Sequence, residues 1–145
     1  MPCEPRPTVS VYTGDRGLLR PLFDLAEDSP TQLDAYLADG TVLVAECDDE
    51  VVGHLQLVTA KPGVLEIKNM AVRPSHQRRG AGAALVAAAL DAARGERATV
   101  VQVATAAAAR GCETASLQST EMAEGVYRAV GFRDLGRILE YAPRG

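Results

Sequence analysis

The 145-residue chain has no tryptophan, and its only aromatics are four tyrosines and two phenylalanines. That leaves no row of rings on which unpaired bases could stack. Positive charge is not in excess either. A formal net charge of −4 argues against non-specific nucleic-acid binding and is compatible with a cationic small substrate. No apolar run approaches the roughly 20 residues that span a bilayer, so no membrane association is expected. The opening Met1-Pro2-Cys3-Glu4-Pro5 has no signal-peptide apolar region. Cysteine is sparse. Cys3, Cys47 and Cys112 are odd in number and lack metal-ligand spacing, which reads as reduced thiols in a cytoplasm and no metal site. A chain of 145 residues suits a single domain with one substantial core, preceded by a frayed, proline-rich tail over 1–7.

What the chain does have is concentrated between residues 65 and 85. Leu65 to Val72 is apolar and β-branched and stops at Arg73-Pro74, a strand that ends at a breaker. Gln77-Arg78-Arg79-Gly80-Ala81-Gly82 follows, and Ala83 to Arg94 is rich in Ala and Leu, strong helix formers. The first turn of a helix offers backbone N–H groups without internal partners, at the positive end of the helix dipole. Gly80 and Gly82 lack Cβ and allow an anion close to the backbone, while Arg78 and Arg79 add charge. The order of residues reads as a phosphate-binding loop at a helix N-terminus. It is not a Walker loop, because no Lys follows the glycines. It is not a dinucleotide fingerprint, because Leu85 stands where a third small residue is needed and no acid lies at the ribose-reading distance.

Elsewhere, Thr8 to Tyr12 has strand composition. Leu18, Leu22 and Leu25 fall at helical spacing over 18–28, with Pro21 suited to a first turn. Ser29-Pro30-Thr31-Gln32 reads as a cap and start for a second helix, ending at Gly40. Thr41 to Cys47, Val51 to Thr59 and 65–72 read as three strands joined by Asp48-Asp49-Glu50 and Lys61-Pro62-Gly63, an antiparallel meander. After the 83–94 helix the reading forks. Thr99 to Thr105 and Thr114 to Ser119 both have strand composition, the second within an inserted segment over 106–120, and a long helix through 98–110 is a further alternative. Glu121 to Val130 reads as a helix with Met122, Val126 and Val130 in one stripe, and Arg133 to Tyr141 as a closing strand.

The loop pattern Gln/Arg-x-x-Gly-x-Gly/Ala, following a strand that ends Ala71-Val72-Arg73-Pro74, resembles the acetyl-CoA pyrophosphate loop of the GNAT superfamily of N-acetyltransferases. A second segment, Ala123-Glu124-Gly125-Val126-Tyr127-Arg128-Ala129-Val130-Gly131-Phe132, is similar to that superfamily's Ala-x-x-x-Tyr-x-x-x-Gly-Phe helix. The two together, in this order on a small chain, cover about 41–141. The pattern departs at Thr120, where the family often carries Asn seven residues before the Tyr.

The resemblance implies an α/β fold with a mixed, mostly antiparallel sheet, a splayed pair of parallel strands, and flanking helices. It implies acetyl-CoA as cosubstrate and no metal. Its pyrophosphate would sit on the segment Gln77, Arg78, Arg79, Gly80, Ala81, Gly82 and Ala83, and its pantetheine arm on the backbone of Met70, Ala71 and Val72. An N–H there would polarise the thioester carbonyl. The acetyl group would pass directly to a primary amine, of a small molecule rather than a protein. Two groups are implied for the protons: Glu66 as base, through water, and Tyr127 as acid beside the sulfur. Strand alternation puts Glu66, Met70 and Val72 on one face unless a bulge intervenes. Asn69 then points the opposite way. Glu66 otherwise pairs with Lys68 or Arg73, and Tyr127 otherwise packs the helix onto the sheet. His54 and His76 read as structural or solvated. Cys112 has no base beside it, which disfavours an acyl-cysteine route. Family habit implies a homodimer. The rival readings are a CoA-binding regulatory or degenerate module without turnover, and a binder of nucleotide phosphates.

Overall fold

The structure, a computed structural model, describes residues 6–104, 127–128, 131–134 and 138–141. Turn chemistry lays out the first half of the sheet. Strands β1 (Thr8–Val11), β2 (Thr41–Cys47), β3 (Glu50–Lys61) and β4 (Val64–Val72) are successive antiparallel neighbours. Asp48 and Asp49, between β2 and β3, both have positive φ, 53° and 65°, as a two-residue hairpin of matching twist requires and Asp tolerates. Gly40, at the entrance to β2, has φ +59°, and a Cβ there would lie 2.2 Å from the Leu57 carbonyl oxygen. Only glycine fits that position.

The crossover then ends the antiparallel alternation. Helix α3 (Ala81–Gly95) follows β4 and leads to β5 (Val100–Ala104), which runs parallel to β4. With strands β6 (Arg133–Asp134) and β7 (Ile138–Tyr141) the described residues form a seven-stranded sheet in the order β1-β2-β3-β4-β5-β7-β6. Of the two candidate fifth strands, 99–105 is therefore the one beside β4, and the long helix through 98–110 is excluded for 100–104. The segment 114–119 lies outside the described residues, as do 106–120 and most of 121–130. In place of the one closing strand expected over 133–141 there are two short strands, β6 pairing antiparallel with β7.

Each face of the sheet has its own core. Helix α3 buries Leu85, Val86, Ala89 and Ala93 against Leu55 and Ile67. Full burial of a side chain such as Leu85 contributes about 1.5–3 kcal/mol. The other face carries α1 (Arg20–Asp24) and α2 (Pro30–Tyr36), which bury Leu22, Phe23, Leu33 and Tyr36 over Val42 and Val44. Ser29 caps α2 as its sequence suggests, its hydroxyl accepting from the Gln32 N–H at 3.2 Å.

Several expectations need correction here. Pro21 does lie in the first turn of the α-helix, as expected, but Leu18 and Leu19 before it belong to a 3₁₀ turn over Arg16–Leu19 rather than to that helix. The buried stripe is Leu19, Leu22, Phe23 and Ala26, while Leu18 and Leu25 are exposed. Helix α2 stops at Tyr36 rather than at Gly40. Cys47 is disulfide-bonded, so the expected reduced thiol does not hold for it. Spacing along a chain does not reveal which sulfurs the fold brings together. The other two cysteines lie outside the described residues. No helix among the described residues is long and apolar enough to cross a membrane.

Candidate active site

Among the described residues the parallel pair β4–β5 is joined at its beginning alone. Val64 pairs with Val100, Leu65 with Val101 and Glu66 with Gln102. β4 continues to Val72, yet among the described residues no strand pairs with its β5-side edge beyond Glu66. The backbone of Ile67 to Val72 thus borders a wedge that opens toward the C-terminal end of β4. Unpaired backbone N–H and C=O groups on such an edge can receive an extended chain as an added strand.

A β-bulge decides which side chains point to which side of that wedge. Against β3, Ile67 pairs with Leu57 and Asn69 with Gln56, which leaves Lys68 as an extra residue. The bulge breaks the alternation. Leu65, Ile67 and Met70 join the core under α3. Glu66, Lys68 and Asn69 face α1 and α2: Lys68 lies over the Tyr36 ring and Asn69 bonds the Tyr36 hydroxyl. The expectation that Glu66 shares a face with Met70 and Val72 is therefore wrong. Asn69, expected to point away from Glu66, lies on its side.

On the α3 side stands Tyr127. It is buried, and its hydroxyl points at the Met70 sulfur, Oη to Sδ 3.7 Å. Phe132 packs on its ring at a centroid distance of 5.3 Å. Burial pushes the Tyr127 phenol above its ordinary value, so it remains a proton donor across the neutral range. Tyr127 thus packs against Met70 of the sheet.

On the other side, Glu66 accepts from Gln102 Nε2 at 3.1 Å and stands 3.8 Å from Lys68 Nζ. The alternative partner, Arg73, pairs with Glu50 instead. Beyond Lys68 lies a buried polar layer. Asn69 donates to the Phe23 carbonyl and to the Tyr36 hydroxyl, and its Oδ1 lies 2.7 Å from His54 Nε2. The Tyr36 hydroxyl donates to Glu27, and Gln56 Nε2 donates to the Tyr36 and Asp39 carbonyls. Sequence reasoning did not find Tyr36 or Gln102. The one available signal for Gln102 was a polar residue inside the apolar run Val100-Val101-Gln102-Val103.

His54 has no place at the wedge. It stacks on Phe23 at 4.1 Å, and burial depresses its pKa to about 4, partly offset by the bond to Asn69. An unfolded chain protonates this imidazole near 6.5, whereas the folded chain resists until about 4. Between those values the unfolded state holds the extra proton, so stability falls as pH falls through that window. The expected loss from this residue is about 3 kcal/mol on going from pH 7 to pH 4. Urea unfolding across that range should show it, and His54→Gln should remove that part of the slope.

Past Val72, the chain turns through Pro74–His76 and enters the glycine loop. Gln77 is extended, and its Nε2 donates to the Val72 carbonyl at 3.0 Å, tying the loop to the end of β4. Arg78 and Gly80 both take left-handed conformations, φ 62° and 91°. Loops of this kind turn successive N–H groups toward one concavity. Gly80 is the N-cap of α3 and offers no capping side chain, and apart from its chain neighbours no heavy atom of the described residues lies within 4 Å of where its Cβ would be. The first-turn N–H groups of Ala81, Gly82 and Ala83 precede the first helical bond, Ala84 N–H to Gly80 O. An uncapped, open helix N-terminus, with Arg78 and Arg79 on the approach, fits a diphosphate.

A model of the acetyltransferase (GNAT) family matches residues 15–111. An uncharacterized N-acetyltransferase of Bacillus subtilis strain 168, YvbK, is 35% identical over 81 residues, 56% of this chain and 52% of that protein. The match thus spans about half the length of that curated relative. Among solved structures, a Bacillus subtilis acetyltransferase in complex with CoA superposes with a TM-score of 0.79 at 23% identity, over 96% of this chain and 100% of that one. A GNAT family acetyltransferase from Elizabethkingia anophelis with acetyl-CoA bound gives 0.77 at 20% identity, over 97% and 100%. At these identities the superpositions speak to the fold.

Proposed function

The chain belongs to the acetyltransferase (GNAT) family, and we propose on that premise that it is an acetyl-CoA-dependent N-acetyltransferase, acting directly on a primary amine of a small molecule. The observation that carries this reading is the coincidence of two features at one end of β4. Among the described residues the strand edge at Met70, Ala71 and Val72 has no partner on the β5 side, and the uncapped start of α3 lies one loop further on. Together they suit a ligand with an extended amide-bearing arm and a diphosphate.

When bound, acetyl-CoA supplies an activated acyl thioester. The residues of this chain would do the rest. The N–H groups from Gln77 to Ala83 hold the diphosphate. The backbone of Met70 to Val72 holds the arm, and an N–H of that edge faces the acyl oxygen as charge builds there. The bulge at Lys68 gives the two proton tasks to opposite sides of the sheet. Glu66 stands on the side of α1 and α2, where an amine enters, and takes its proton through water. Tyr127 stands on the side of α3, where the thiolate leaves, and donates to it. Elevation of the phenol pKa by burial suits a group that must be protonated before this step.

Free thiol release in the presence of acetyl-CoA and a panel of primary amines tests the proposal. Release with at least one small amine is expected. CoA binding without release from any amine would favour the regulatory module without turnover. Tyr127→Phe deletes a hydroxyl whose described contact is the Met70 sulfur, so the fold should persist. Turnover should fall about 10- to 100-fold, while CoA affinity by calorimetry stays within about threefold.

A further inference from the structure

The charged pair on the α1–α2 side of the wedge is held too well to be a solvated strand surface. The Glu66 and Lys68 side chains are each 24% exposed and lie 3.8 Å apart, Oε2 to Nζ. Gln102 of the neighbouring parallel strand fixes Glu66 from one side with its 3.1 Å bond. The Tyr36 ring lies 5.2 Å from the Lys68 ammonium, close enough for cation–π attraction. Tyr36 is itself fixed, because its hydroxyl donates to buried Glu27 at 3.0 Å and accepts from buried Asn69 at 2.9 Å. A cation is thus positioned beside the proposed base, on the side where an acceptor would enter.

We propose that Lys68 determines the acceptor class by receiving a carboxylate, so that the acceptors are α-amino acids. The inference rests on the reading of Glu66 as the base that meets the amine. An α-amino acid carries its amine and its carboxylate on one carbon, and the 3.8 Å between Lys68 Nζ and Glu66 Oε2 matches that short span. A zwitterion entering here sets its carboxylate on Lys68 and its amine toward Glu66 across the intervening water, and no charge is left unpartnered. A neutral amine draws Glu66 away from Lys68 and gives the ammonium nothing in return. A diamine brings a second cation against it. The arrangement therefore selects for one acceptor class and against two others.

The test compares kcat/KM for several α-amino acids, each with its own α-amide, and for 1,4-diaminobutane. It uses the full chain with acetyl-CoA, as wild type, Lys68→Met and Lys68→Arg. In the wild type the best amino acid should exceed its amide by about tenfold or more, and the diamine should be poorer still. Lys68→Met should lower kcat/KM for the acid about 10- to 100-fold, chiefly through KM, and leave the amide within about threefold. Lys68→Arg, which keeps the charge, should retain the preference. An equal fall for acid and amide would mean that Lys68 serves only Glu66 and would overturn the proposal. So would a wild type that prefers amides or the diamine, in which case acetyl transfer itself stands. No thiol release with any acceptor would overturn acetyl transfer together with this inference.

Discussion

Gly82→Glu should weaken CoA binding about 100-fold, equivalent to about 2.7 kcal/mol, without lowering the melting temperature. Gly82 lies in the first turn of α3, where the proposed diphosphate sits against the backbone. A glutamate there adds both bulk and a like charge. At about 4 Å and an effective dielectric of about 20, two unit charges interact by about 4 kcal/mol. Rotation of the side chain and salt screening reduce that figure by roughly half. The fold responds in the opposite direction. A carboxylate in a first helical turn stabilises the helix by about 0.3–1 kcal/mol, and replacing Gly within a helix adds several tenths more. Calorimetry with CoA and a thermal melt, run together, separate these effects. Weak binding with an undiminished melting temperature places the anion at this helix end. Unchanged binding would remove it from there.

Glu66→Gln should lower turnover at pH 7 by about 100-fold or more, with CoA affinity unchanged. The substitution is nearly isosteric, and the new amide oxygen can still accept from Gln102. It loses only the capacity to take a proton and the charge that faces Lys68. Glu66 and Tyr127 face opposite sides of the sheet. A defect confined to the acceptor step is therefore expected for Glu66, whereas Tyr127→Phe acts on the departing thiolate. Wild-type turnover by Glu66→Gln would end its assignment as base.

These two predictions draw on different amounts of sequence information. The strand–loop–helix form of the glycine loop was legible because its parts are local: a breaker after a strand, two glycines and a run of helix formers. Gly80 takes the left-handed N-cap position that its missing side chain permits. The meander was legible for the same reason, since Asp48-Asp49 and Pro62-Gly63 specify turns without reference to distant residues. The face of Glu66 was not. The bulge at Lys68 exists only in relation to β3, where Leu57 and Gln56 choose their partners, and nothing in Glu66-Ile67-Lys68-Asn69 reveals which residue will be unpaired. The first helix shows a related failure. Leu18, Leu22 and Leu25 have helical spacing, but a 3₁₀ turn over Arg16–Leu19 changes the phase, and Leu19, Phe23 and Ala26 are buried in place of Leu18 and Leu25. Tyr36 carried no sequence signal because its role depends on Glu27, Asn69 and Lys68 meeting above the sheet.

The central claim is that the open edge of β4 and the start of α3 together hold one ligand, and amide chemical shifts during a CoA titration test it most directly. The largest changes should fall at Met70, Ala71 and Val72 and from Gln77 to Ala83, while the outer strand β1 stays unchanged. Millimolar CoA that leaves residues 70–83 unperturbed would contradict the account.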